Sequence, residues 1–208
     1  MTIKRSTACL ALLAAIGTPS AALAQFYIGG SLGRADAETD NAADAAAFRA
    51  AGGFTSATVT SDDKKTGFKL FVGYDINPMF AVEAGYFMTS DFRFTAVTTG
   101  PATTTTGEGE ATAFLLDGVV KFPVTQNFRV LGRLGAHFSK FDVSATIVGP
   151  GGTARLGDDD DNVNVRFGLG VEYMFSRTLG IRAEAERNRK FGDSGDLDFY
   201  SVGLTYRF

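Results

Sequence analysis

Apolar and polar residues alternate along eight stretches of the chain. The first four are FYIGGSLGR (26–34), GFKLFVGYD (67–75), FAVEAGYFMTSDF (80–92) and ATAFLLDGVVKF (111–122). The others are FRVLGRLGAHFSKFDV (128–143), NVNVRFGLGVEYMF (162–175), IRAEAERNRKF (181–191) and LDFYSVGLTYRF (197–208). A period of two marks a β-strand with two unlike faces. Strands of soluble proteins run to about five or six residues. Several of these are long enough to cross a bilayer at a tilt.

The connections sort by length. INPM (76–79), PVTQN (123–127) and SRTLG (176–180) are short, whereas 35–66, 93–110, 144–161 and 192–196 are expected as longer loops. Short and long connections alternate, which places both termini on the short-turn side. The predicted fold is all-β: an eight-stranded antiparallel up-and-down transmembrane β-barrel. Thr98–Glu110 reads TTGPATTTTGEGE and lacks the apolar residues to build a core, so it is assigned to exposed loop. A short helix is expected over Asp44–Ala51.

One parity assignment per strand sorts the two faces. Over 162–175, Val163, Val165, Phe167, Leu169, Val171 and Tyr173 oppose Asn164, Arg166, Gly168, Gly170 and Glu172. A soluble barrel or sandwich would turn the apolar set inward. The aromatic residues favour the inverted arrangement: Phe26, Tyr74, Phe80, Phe122, Phe128, Tyr173, Tyr206 and Phe208 share the apolar face near the short-turn end. Aromatic rings at one level form the interfacial girdle of a membrane barrel.

Composition adds context. Residues 1–24 carry Lys4 and Arg5, an apolar run from Ala8 to Ile16 and the small-x-small sequence Ala22-Leu23-Ala24, the pattern of a cleaved signal peptide. Cys9 lies in this segment, so the expected mature chain 25–208 has no cysteine and no disulfide. Its removal takes the formal charge from −3 to −5, which argues against a nucleic-acid partner. No later stretch has the about 18 apolar residues of a membrane-spanning helix.

The polar face carries the candidate chemistry. Lys69, Glu83, Asp117, Lys121, Arg133, Arg166, Glu172, Arg182 and Glu184 are expected in the lumen, which in an eight-stranded barrel is only wide enough for side chains. Buried charges must pair. Arg182 is in register to meet Glu83 or Glu172, either as structural filling or as a gate on a narrow water path. His137 and Ser139 share a face, but no third group completes a hydrolase constellation, and the protein is not expected to be an enzyme. Asp158–Asp161 lacks the ligand spacing of a calcium loop and reads as a solvated acidic loop. Arg187 and Arg189 point outward near the long-loop end, where lipopolysaccharide phosphates would lie. No dinucleotide fingerprint, P-loop or zinc motif appears, so neither cofactor nor metal is expected.

Four segments carry a resemblance. GYDINPMFAVEAGY (73–86), KFPVTQNFRVLGRLGA (121–136), GVEYMFSRTLGIRAEAER (170–187) and SVGLTYRF (201–208) resemble the transmembrane domain of outer membrane protein A. That resemblance implies a Gram-negative outer-membrane barrel with periplasmic termini. Its implied role is structural or surface-interacting, with loops meeting host or cell-surface ligands. Narrow low-conductance porins and OmpW-like carriers of small solutes are the implied alternatives. Outer-membrane lipid, lipopolysaccharide and the barrel-assembly machinery are the implied partners, the last through Tyr206 and Phe208, and a monomer is expected. The family's lumen gate joins two Glu, an Arg and a Lys. Glu83, Glu172 and Arg182 match, while Val119 stands at the lysine position, with Lys121 or Lys69 as substitutes. The chain looks like a barrel-only relative, of the opacity and small-porin type, without a peptidoglycan-binding domain.

Overall fold

The computed structural model describes residues 25–37, 41–52, 55–62, 64–90, 92–100, 102–150, 152–190 and 195–208. The expected signal peptide, residues 1–24, lies outside them. The elements are β1 (Phe26–Ala37), α1 (Asn41–Gly52), β2 (Ser56–Asp62), β3 (Lys64–Asp75), β4 (Phe80–Thr89) and β5 (Phe92–Thr99). They continue with β6 (Thr103–Pro123), β7 (Phe128–Gly149), β8 (Gly152–Met174), β9 (Leu179–Asn188) and β10 (Leu197–Arg207).

Eight strands form a closed antiparallel ring in the order β6-β4-β3-β1-β10-β9-β8-β7, and β7 returns to β6. Closure runs through β1 and β10, from Tyr27 opposite Arg207 to Ala37 opposite Leu197. A ring has no free edge, so every ring strand finds hydrogen bonds on both sides. Three short turns close one end, and all use the same device. Asn77 Oδ1 accepts from the amides of Met79 and Phe80, both at 2.9 Å. Thr125 Oγ1 accepts from the Phe128 amide at 3.0 Å, and Ser176 Oγ from the Leu179 amide at 3.0 Å. Side chains that mimic a backbone turn are why Asn, Thr and Ser stand at these corners.

Alternation runs opposite to that of a soluble protein. Leu169, Phe114 and Leu134 are exposed on the outer face, at 70%, 65% and 64%. Lys69, Lys121, Glu172 and His137 are fully buried inside.

Three of the expected loops are corrected. Residues 93–99 form most of β5 and 103–110 the start of β6, and 144–149 and 152–161 form the adjoining ends of β7 and β8. Region 35–66 contains α1 and β2, with α1 extending past the expected 44–51 on both sides. Of the stretch 98–110, Thr98 and Thr99 end β5 and Thr103–Glu110 open β6, where they pair with β5 and β7; Asp158–Asp161 are strand positions paired with β7. Threonine favours the extended chain, and a strand flanked by partners needs no apolar face of its own to persist. Of 192–196, only 195 and 196 are described.

The result is a wall. β2, β5 and the far ends of β6, β7 and β8 continue the sheet beyond the ring on one side. Where β4 gives way to β5, the pairing register with β6 shifts by one residue: Met88 faces Thr112, but Phe92 faces Gly109. Such a bulge re-aims the strand at a barrel rim, and the sequence pattern 80–92 gave no sign of it.

Candidate functional site

The ring turns its polar face inward, and the charged candidates of the lumen come from the inward positions of β3, β4 and β6–β9. All nine lumen candidates are buried: Lys69, Glu83, Asp117, Lys121, Arg133, Arg166, Glu172, Arg182 and Glu184. Glu186 joins them at 3% exposure. The fully enclosed charges therefore balance. Lys69, Lys121, Arg133, Arg166 and Arg182 face Glu83, Asp117, Glu172, Glu184 and Glu186.

The pairing is continuous. Arg182 reaches Glu83 at 2.7 Å and Glu172 at 3.2 Å. Arg133 meets Glu83 at 3.0 Å, Asp117 at 3.0 Å and Glu186 at 2.9 Å, and also contacts Glu184. Arg166 joins Asp117 at 2.6 Å and Glu186 at 3.0 Å, and Lys69 spans Glu184 and Glu186, both at 2.7 Å. An isolated charge in so enclosed a site would be very costly, whereas a shared network satisfies several groups at once. Charge-assisted forks suit arginine, which supplies three of the five cations.

Aromatic and apolar groups close the network from both ends. Tyr27 donates to Glu83 at 2.8 Å, and its ring takes Lys121 Nζ at 4.0 Å from the centroid and Arg207 at 4.8 Å. The Arg182 guanidinium lies 4.8 Å from the Phe71 ring, a cation–π geometry. Two close approaches make room for these rings. Tyr27 lies across Gly73 and Phe71 across Gly29, where a Cβ would stand only 2.1 and 2.3 Å from the ring carbons. Toward the open end, Ala35, Phe87, Ala111, Ala113, Leu115, Leu197 and Phe199 form an apolar cluster.

Several residues were not selected from the sequence. Glu186 has the parity of Arg182 and Glu184, and Arg207 that of Thr205, so the signal was present. Arg207 contacts Asp75, which Lys121 also contacts, and Arg129 lies 3.3 Å from Glu172. The candidate substitutes for the gate lysine go elsewhere: Lys121 to Asp75, and Lys69 to Glu184 and Glu186. Val119 is buried in a cluster with Tyr27, Phe71 and Ala81.

His137 and Ser139 are both buried on one face of β7. His137 Nε2 is 3.0 Å from the carbonyl oxygen of Arg189, and Ser139 donates to the carbonyl of Asn162 at 3.4 Å. Arg187 and Arg189 stand exposed outside and pair with Asp198 at 2.6 Å and Asp196 at 3.1 Å. Of the girdle candidates, Phe26, Tyr74, Phe80, Phe122, Tyr173, Tyr206 and Phe208 are exposed outside, and Phe128 is half-buried. The Phe26 and Tyr74 rings meet tilted at 4.9 Å, and the Tyr206 and Phe208 rings edge to face at 5.3 Å. The backbone of Asp158–Asp161 lies in β8; the side chains of this run are outside what the structure describes.

An apolar outer face, an aromatic rim and a charged interior belong to a barrel whose solvent is lipid. The family model for the outer membrane protein beta-barrel domain matches residues 6–208. The chain belongs to that family. It is an outer-membrane β-barrel protein of Gram-negative type, crossing the membrane with strands. Among the relatives of this barrel is outer membrane protein A of Salmonella typhi, 27% identical over 162 residues. Those residues are 75% of this chain and 44% of that protein. The relative from Klebsiella aerogenes is 27% identical over 152 residues, 70% of this chain and 40% of its own. The barrel thus spans less than half the length of these relatives. Among solved structures it is similar in fold to the outer membrane protein OprG from Pseudomonas aeruginosa. There the TM-score is 0.55 at 14% identity, covering 88% of this chain and 95% of that one.

Proposed function

We propose that this barrel is sealed and acts at its surfaces, anchoring in the outer membrane and presenting its wall to the exterior. The carrying observation is a lumen in which each of the five buried cations faces a buried or part-buried carboxylate, closed by Tyr27 and Phe71 at one level and the Phe87–Phe199 cluster at another. On this reading the short turns face the periplasm, the wall faces outward, and ligands of other cells meet the wall. Tyr206 and Phe208 serve the barrel-assembly machinery as recognition residues.

Planar-bilayer recording of the reconstituted protein tests the seal. The wild type is expected to be silent, and steady conductance would overturn the reading. One observation favours a second reading, a latent narrow pore: Arg182 bridges Glu83 and Glu172, the arrangement that the family resemblance links to a gate. Conductance in Arg182→Ala alone would support the pore, and silence in both proteins would remove it.

A further inference from the structure

The two faces of the wall differ. On the face continuous with the lumen, Ala96, Thr98 and Thr105 are buried, and α1 packs beside β2 with Ser61 donating to Asn41 Oδ1 at 2.6 Å. The opposite face is continuous with the lipid-facing surface and stands open. Strand register arranges it in rows that run from strand to strand. One row runs Thr60, Thr95, Thr106, Thr146 and Arg155 across β2, β5, β6, β7 and β8. The next runs Thr58, Val97, Thr104, Val148 and Thr153. Thr146 is half-buried and the other nine are exposed, with Val97 at 49% and Val148 at 52%.

Height and chemistry together restrict what meets these rows. Along β6 the outer face changes from apolar Leu116 and Phe114 to Glu108, Thr106 and Thr104. Thr106 lies eight residues beyond Phe114, about 27 Å along the strand. Even at a barrel tilt, this exceeds the about 6 Å of headgroup on each side of the hydrocarbon. The rows therefore stand beside whatever extends above the phosphates of neighbouring lipids. Their surface offers hydroxyls that both donate and accept, interleaved with methyl groups. It lacks the Trp, Tyr and dense Arg of energetic protein interfaces, where Thr and Val are under-represented.

We propose that this face binds the saccharide of surrounding outer-leaflet lipopolysaccharide, with threonine hydroxyls bonding to sugar hydroxyls and methyl groups lying against C–H faces. The proposal rests on the outward orientation of the wall under the sealed-barrel reading. The test uses the reconstituted protein and two probes: lipopolysaccharide bearing its core sugars, and lipid A without them. The quadruple variant T60V/T95V/T106V/T146V keeps shape and strand preference but removes four hydroxyls. It is expected to bind the sugar-bearing probe at least about tenfold more weakly and lipid A unchanged. Equal binding of the sugar-bearing probe by variant and wild type would overturn the proposal. So would wild-type affinity for bare lipid A equal to that for the sugared form. Free core oligosaccharide added to wild-type protein with labelled threonine methyls gives a check independent of the variant's folding. Shifts at Thr95 and Thr106 are expected, and unmoved signals would overturn the proposal. Wild-type conductance would sink the sealed lumen without touching either binding result.

Discussion

Arg182 shows how tightly the lumen is specified at the residue scale. It is fully enclosed and holds Glu83 and Glu172, with Glu184 at 3.6 Å. Arg182→Ala leaves these carboxylates short of a partner, and unpairing a buried charge costs about 3–5 kcal/mol. Urea unfolding in lipid vesicles should show that loss; an unchanged midpoint and slope would mean that the remaining arginines take over. Gly73 is a second such position. A methyl group there would stand 2.1 Å from a Tyr27 ring carbon, so Gly73→Ala should cost about 1–3 kcal/mol by overpacking, measured in the same titration. Parity alone placed Glu83, Arg133 and Arg182 on the inward face, because one assignment fixes a whole strand. It could not show that Asp75 and Arg129, near strand ends, reach back to Lys121 and Glu172. The length and direction of side chains across a closed ring are not written in any single strand.

At the scale of elements, the lipid-facing strands were legible and the wall was not. Val163 through Tyr173 alternate with polar or glycine positions because one face meets lipid and the other a charged lumen. Leu169→Arg puts a charge on the lipid face and should destabilise the barrel by about 2–4 kcal/mol in vesicles, while a polar change in the wall should cost far less. Thr103–Gly109 shows no such alternation, since neither of its faces meets lipid. It is held by β5 on one side and β7 on the other. Hydrogen exchange separates this from a loop: the amides of Thr104–Gly109 should be protected, and exchange at unfolded-chain rates would show that the hairpin is not formed. The bulge before Phe92 was also illegible, because one extra residue leaves no mark on a composition of Phe, Arg and Thr.

At the scale of the molecule, closure explains the fit between the chain's two kinds of strand pattern. The first and last ring strands pair over eleven positions, from Tyr27–Arg207 to Ala37–Leu197, which removes both edges. A closed ring of eight leaves a narrow lumen, and this lumen is filled by equal numbers of enclosed cations and anions among the described residues. Apolar residues outside, balanced charges inside and a threonine wall above give three environments along one continuous sheet. That division is the central claim, and tryptophan placement tests it directly because the chain contains no native tryptophan. Leu169→Trp, Leu204→Trp and Val148→Trp would be reconstituted one at a time in vesicles of lipid with brominated chains. The fluorescence of the first two should be strongly quenched and that of the third should not. An unquenched tryptophan at 169 and 204, or one at 148 quenched as strongly as they are, would contradict the account.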